Sequence, residues 1–163
     1  MFKKIIKYLL TFFREVYIYE SKGNKKKVFY VNFYLKKYRS INSIKHKNIK
    51  KYLTNENRKE RFKNNQILFV LFYKKKAVSF GWMNLKSSWK ITEINKIIFK
   101  KNTLILYDFF TDIKDRNKGY YTKILNLIKN IKTKNKFLIY CLKNNESSKR
   151  GINKAKFILV DKM

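Results

Sequence analysis

Between Thr103 and Leu142 the chain reads TLILYDFFT, then a charged turn, then an amphipathic stretch, then KFLIYCL. The two apolar runs have strand length and strand composition. The stretch between them places Tyr121, Ile124, Leu125, Ile128 and Ile131 at helical spacing. A strand, a helix and a second strand in that order allow the strands to lie parallel across the helix. SSKRGINKAKF follows as a short helix and ILVDKM as a short strand. The chain from Thr103 onward therefore reads β–α–β–α–β.

The residues before Thr103 read differently. QILFVLFY, AVSFGWMNL and KITEINKII are three strand-like runs with short connections. Gly81, inside the second, marks a bulge or a close backbone approach. Residues 45–63 are polar, with Ile49, Leu53 and Phe62 loosely periodic, and are expected to be helical. VYIYES and KVFYVNFYL flank KGNKK, which predicts a hairpin turning at Gly23. MFKKIIKYLLTFFREV spaces Ile5, Ile6, Leu9, Leu10, Phe13 and Val16 as a core-facing helix. Lys7 and Arg14 interrupt its apolar run, so it fits neither a signal peptide nor a span, which needs about 20 apolar residues. A helix lying on an anionic membrane face is the alternative for residues 2–16. No repeat or linker divides residues 1–163, and a single domain is expected.

The formal net charge is +31, from 41 Lys and Arg against 10 Asp and Glu. Such a surplus points to a polyanionic partner. Yet the enriched residues (Lys, Asn, Ile, Phe, Tyr) share A/T-rich codons, and only 4 Gly and no Pro are present. The lysines are dispersed, and no basic run interleaves with aromatics in a nucleic-acid reading motif. Most of the charge is therefore read as compositional bias, with nucleic acid disfavoured as a partner. Cys141 is the one cysteine and lies in an apolar run, where an inert thiol is expected. His46 is the one histidine, in KHKN, and is expected on a solvated face. Metal-ligand spacing is absent, and no metal is expected.

The turn between the two parallel strands carries the chemistry. Asp112 to Lys118 form a loop, and a helix opens at Gly119. A helix start leaves backbone N–H groups unpaired and bears partial positive charge, which favours phosphate. Glycine there lets the backbone approach a ligand without a Cβ in the way. Arg116 and Lys118 add charge. Alone, R-x-x-G is a modest signal, and neither G-x-G-x-x-G nor G-x-x-x-x-G-K is present.

In context the segment resembles the GNAT superfamily of N-acetyltransferases. That family follows a strand with an R/Q-x-x-G-x-G/A loop and a helix, and the matching residues are Arg116, Asn117, Lys118, Gly119, Tyr120 and Tyr121. A second strand is followed by N-x-x-A/S and a helix ending in K-x-G-F, matched by Asn145, Ser148, Lys154 and Phe157. The likeness covers residues 60–163. Members linked to cell-envelope polysaccharide biosynthesis are similar at F-T-x-x-x-x-R-x-K-G-x-Y (Phe110, Thr111, Arg116, Lys118, Gly119, Tyr121). They are similar again at S-x-R-G-I-x-K-A (Ser148, Arg150, Gly151, Ile152, Lys154, Ala155). Three positions depart from the family pattern: Tyr121 replaces the last Gly/Ala, Lys156 replaces the K-x-G-F glycine, and Ile152 stands where many members carry a proton-donating tyrosine.

The resemblance implies an α/β (α+β) fold, with a mixed, mostly antiparallel sheet flanked by helices and a β-α-β-α C-terminal half. It implies acetyl-CoA as co-substrate, wedged where strands 103–111 and 137–142 splay. A backbone N–H near Phe109, Phe110 or Thr111 would polarise the thioester carbonyl. The acceptor would be a small-molecule primary amine, with an amino-sugar nucleotide preferred, and the site of action the cytoplasm or the inner face of the membrane. Acceptor deprotonation needs a base, for which Glu93 ranks ahead of Asp108. Tyr107, Tyr120, Tyr121 and Tyr140 are possible acids. The alternatives are a catalytically degenerate GNAT-like domain or a basic RNA-binding module.

Overall fold

The structure is a computed structural model that describes residues 14–24, 26–54, 56–131 and 134–163. Residues 1–13, including the expected first helix, lie outside the described residues. Nine strands and four α-helices are described: β1 (Val16–Lys22), β2 (Phe33–Tyr38), α1 (Lys47–Tyr52), α2 (Glu56–Lys63), β3 (Ile67–Tyr73), β4 (Lys76–Asn84), β5 (Ser88–Ile91), β6 (Lys96–Phe99), β7 (Thr103–Thr111), α3 (Tyr120–Ile131), β8 (Lys136–Leu142), α4 (Glu146–Lys154) and β9 (Ile158–Lys162). Seven strands form one sheet in the order β2-β3-β4-β7-β8-β1-β9, and β5 and β6 form a separate pair. All pairs are antiparallel except β7 and β8, which are parallel.

The apolar runs ILFVLFY in β3 and LILY in β7 are explained by cover on both faces. On one face α3 and α4 pack Ile124, Leu125, Ile128 and Ile152 against Phe69, Leu71, Leu106, Phe137 and Ile139. On the other, α1 brings Ile49, Tyr52 and Leu53 onto Leu68, Val70, Phe72, Phe80 and Trp82. The β5–β6 hairpin extends that second layer, setting Ile91, Ile94 and Ile98 over Ile18, Ile105 and Leu138.

Four expectations change. β1 and β2 do not form a hairpin. β1 lies between β8 and β9, pairing Val16 with Leu142 and Tyr17 with Lys162, while β2 pairs with β3. Both edges of β1 are thus taken by strands remote in sequence. Gly23 is not in the left-handed region; its amide donates to the Asn135 carbonyl (3.0 Å), and the chain continues along α3. KITEINKII is a hairpin rather than one strand, because Asn95 takes φ +54° in the turn between β5 and β6. Residues 45–63 form two short helices rather than one. His46 is half-buried rather than solvated, its ring 4.9 Å from that of Phe72.

Candidate functional site

The site begins with a mismatch between β4 and β7. The register pairs Phe80 with Phe110 and Trp82 with Tyr107, so Gly81 alone faces both Asp108 and Phe109. This is a β-bulge, and Asp108 takes φ +46° within it. Bulges re-aim side chains. Here Tyr107 and Asp108 share the α1–α2 face, whereas Phe109 turns toward α3. Gly81 makes the bulge possible, because a Cβ there would lie 2.1 Å from Phe109 Cε1.

Next to the bulge the parallel pair separates. β7 and β8 are paired from Thr103–Lys136 to Leu106–Ile139 only. Beyond that, β7 runs to Thr111 and β8 to Leu142, leaving the β8-facing edge of Phe109, Phe110 and Thr111 outside the ladder. The parallel pairing ends here, where the GNAT resemblance implied that the two strands splay.

Above the splay sits the turn into α3. Asp112 Oδ1 accepts from the Lys114 amide (3.2 Å) and caps a 3-10 turn over Ile113–Asp115. The buried Asp115 carboxylate accepts from Lys76 Nζ (2.7 Å) and Lys118 Nζ (3.1 Å). The Lys76 hydrogen bond first, and then that of Lys118, hold its pKa below the ordinary value. Lys118 therefore fastens the loop to Asp115 and to the Lys114 carbonyl. Arg116 Nε donates to the Thr111 carbonyl (3.2 Å). Asn117 and Gly119 turn the chain at φ +62° and +72°. A Cβ on Gly119 would meet only Lys123 Nζ, at 3.3 Å.

The first amide of this turn bonded back into the helix is that of Lys123, to the Gly119 carbonyl (3.1 Å). Among the described residues the amides from Lys118 to Thr122 have no hydrogen-bond acceptor. A bare row of donors, an open glycine and the exposed Arg116 suit a diphosphate. Tyr120 and Tyr121 contribute amides, not rings. Tyr120 is buried beside Phe33 and Tyr73. The Tyr121 ring lies 5.3 Å from Phe109 and against Gly151, where a Cβ would come within 2.5 Å of it. The bulk of Tyr121 is thus taken up between α3 and α4, away from the amide row.

On the opposite wall, Asn145 caps α4, its Oδ1 accepting from the Ser148 amide (3.1 Å) and Ser147 Oγ (3.0 Å). Ser148 is half-buried one turn into that helix. Ile152 is fully buried in the core. Cys141 is buried, and burial pushes its thiol up to about 11.

The two candidate bases occupy different environments. Asp108 accepts from Arg61 Nη1 (2.5 Å), Arg58 Nε (3.3 Å) and the Tyr52 hydroxyl (3.3 Å). Glu93 lies in the β5–β6 turn, half-buried, and accepts from Thr92 Oγ1 (3.2 Å). Between them stands Tyr140, the first β8 residue beyond the paired segment. Its hydroxyl accepts from Trp89 Nε1 (3.1 Å), and Trp89 packs 4.1 Å from the Tyr107 ring. Burial raises the Tyr140 pKa, and the charge of Glu93 raises it further. The phenol keeps its proton, and among the described residues that proton has no acceptor. In the sequence Tyr140 is only one of four possible acids, because the Trp89 hydrogen bond that marks it comes from a hairpin remote in sequence.

The fold is found in solved structures of very different sequence. A GNAT-family acetyltransferase from Colwellia psychrerythraea superposes with TM-score 0.59 at 12% identity, over 90% of this chain and 53% of that one. A putative GNAT-family acetyltransferase from Novosphingobium aromaticivorans gives 0.56 at 9%, over 92% and 61%. A conserved protein of unknown function from Staphylococcus epidermidis gives 0.58 at 8%, over 91% and 59%. The chain spans about half to three-fifths of the length of these structures. No family model and no curated protein matches the sequence. The class the fold defines is thus the GNAT fold: a mixed, mostly antiparallel sheet flanked by helices.

Proposed function

We propose that the protein is an acetyl-CoA-dependent N-acetyltransferase acting on a primary amine. The observation that carries this reading is the unpaired amide row at the start of α3, set directly above the β7–β8 splay. The amides of Lys118–Thr122 would hold the diphosphate, with Arg116 beside it, and the free edge at Phe109–Thr111 would donate to the thioester carbonyl. Asn145 and Ser148 would line the other wall. Acetyl-CoA, when bound, supplies the activated acyl group. Glu93 is the better base, since Asp108 is held by Arg58 and Arg61. Tyr140 takes the proton-donor role that Ile152 cannot fill. An amino-sugar nucleotide of surface-polysaccharide synthesis is the preferred acceptor, on the likeness at Phe110–Tyr121 and Ser148–Ala155. Such a substrate places the reaction in the cytoplasm, and residues 2–16 would give contact with the inner membrane face.

A melting curve with and without acetyl-CoA tests the donor site. Ligand at a hundredfold excess over Kd should stabilise the parent by about 2.7 kcal/mol, and Gly119→Glu should abolish the shift. No shift in the parent ends the proposal. The second reading, a domain that binds acetyl-CoA without turnover, is favoured by the buried Ile152 and the paired Asp108. A melting shift with no thiol release across a panel of amines would select it.

A further inference from the structure

At the opposite end of α3 lies a second arrangement that the transfer reaction does not use. Lys129, in the last turn of α3, is 3% exposed and is the one buried lysine among the described residues. Its ammonium donates to the Ala155 carbonyl (2.7 Å) at the end of α4 and to Ser21 Oγ (3.1 Å). An ammonium has three N–H donors; these acceptors take two of them, and the ammonium also lies 5.1 Å from the Phe157 ring centroid. No carboxylate pairs with Lys129 among the described residues. Buried charges are ordinarily paired, because desolvation is costly. Here burial, and after it the charge of Lys156, depress the Lys129 pKa. The carbonyl at the α4 terminus offsets part of that cost, but three further lysines converge on the same place.

Lys129 lines a cavity of about 300 Å³ together with Asn24, Lys26, Asn126, Lys154 and Lys156. Every charged residue lining it is a lysine. The volume equals that of about ten water molecules, ample for one or two phosphate groups. The walls are fixed. Asn24 Nδ2 donates to the Asn126 carbonyl (3.0 Å) and to Asn130 Oδ1 (2.7 Å). Asn130 bridges in turn to the Val28 amide and carbonyl. The segment carrying Lys26 is thus held against α3.

We propose that this cavity binds a small phosphate or diphosphate anion, with the Lys129 ammonium at its floor and Lys26, Lys154 and Lys156 at its rim. The site is distinct from the amide row. Lys129 follows Gly119 by ten residues of α3, or about 15 Å. The cavity lies at the C-terminal ends of α3 and α4, whose N-terminal ends carry the amide row and the Asn145 cap.

Calorimetric titration with inorganic pyrophosphate, at a fixed ionic strength of about 0.15 M to screen the general surface charge, tests this. Gly119→Glu is the background, so that the amide row cannot take up the probe. One equivalent is expected to bind. Lys154→Gln/Lys156→Gln should weaken binding by about tenfold or more through lost charge-assisted bonds, and Lys37→Gln/Lys90→Gln, removing the same charge elsewhere, by less than about twofold. Lys129→Met should abolish it, and if that variant does not fold the rim pair decides. Coenzyme A titrated into the same background separates a free anion from the coenzyme's own phosphates. Equal losses in the two double variants, or no stoichiometric binding in the Gly119→Glu background, would overturn the proposal.

Discussion

Gly81 and Phe109 compete for one volume. A methyl group on Gly81 would overlap the ring at 2.1 Å, so Gly81→Ala must displace Phe109 or undo the bulge. Overpacking of this kind costs about 1–3 kcal/mol. We expect Gly81→Ala to lower stability to urea by that amount. Phe109→Ala in the same chain should recover part of the loss, a departure from additivity that a double-mutant cycle detects. Tyr140→Phe keeps the Trp89 and Tyr107 packing but removes the free proton. Loss of a general acid should reduce kcat by about 10²-fold while leaving the acetyl-CoA-induced melting shift unchanged. Gly119 and Arg116 were legible in the sequence because a positive φ and a helix start are local properties. The partnership of Asp108 with Arg58 and Arg61 was not, since it depends on a one-residue offset between β4 and β7.

The loop from Asp112 to Lys118 is stiffened by the Asp115 carboxylate and its two lysines. The Asp115 pKa is depressed in the fold from its ordinary 3.8. Its contribution to stability is therefore complete above that value and is lost as pH falls through the lower folded pKa. Asp115→Asn should lower the melting temperature at neutral pH, and the gap from the parent should close progressively below pH 3.8. An equal gap at both ends of that range would show that the two lysine bonds add nothing. The turn, α3, β8 and α4 follow from hydrophobic period and cap chemistry close at hand. The β5–β6 hairpin shows where that reasoning ends. KITEINKII has strand composition throughout, and only the left-handed turn at Asn95 folds it back. The β1–β2 hairpin failed for a related reason: a strand's composition states that it pairs, not with which partner.

Across the whole molecule, the seven-stranded sheet depends on β1 bridging β8 and β9. A chain lacking residues 14–22 should lose its cooperative melting transition, and a synthetic peptide of residues 14–24 added in trans should restore it. Recovery of the transition without the peptide would show that β8 and β9 close on each other. The charge of +31 makes a second global prediction. If the proposed diphosphate site holds acetyl-CoA, raising salt from about 50 to about 200 mM should weaken that binding by less than about tenfold, because few phosphates are contacted. A ligand contacting six to ten phosphates along a nucleic acid would lose about 10³–10⁵ over the same range. The order of the sheet was the least legible property, since it is settled by pairings between the two ends of the chain.

Those pairings also set a timetable. Residue 16 must meet residue 142, and residue 17 residue 162, so β1, synthesised well before both partners, is among the last described strands to find its place. Until β8 has left the ribosome, β1 has no edge to join, and its apolar Val16 and Ile18 stay uncovered. Closure of the sheet belongs to the moments after translation has passed β9, which makes the nascent chain, more than the finished one, the form most exposed to proteases and to aggregation.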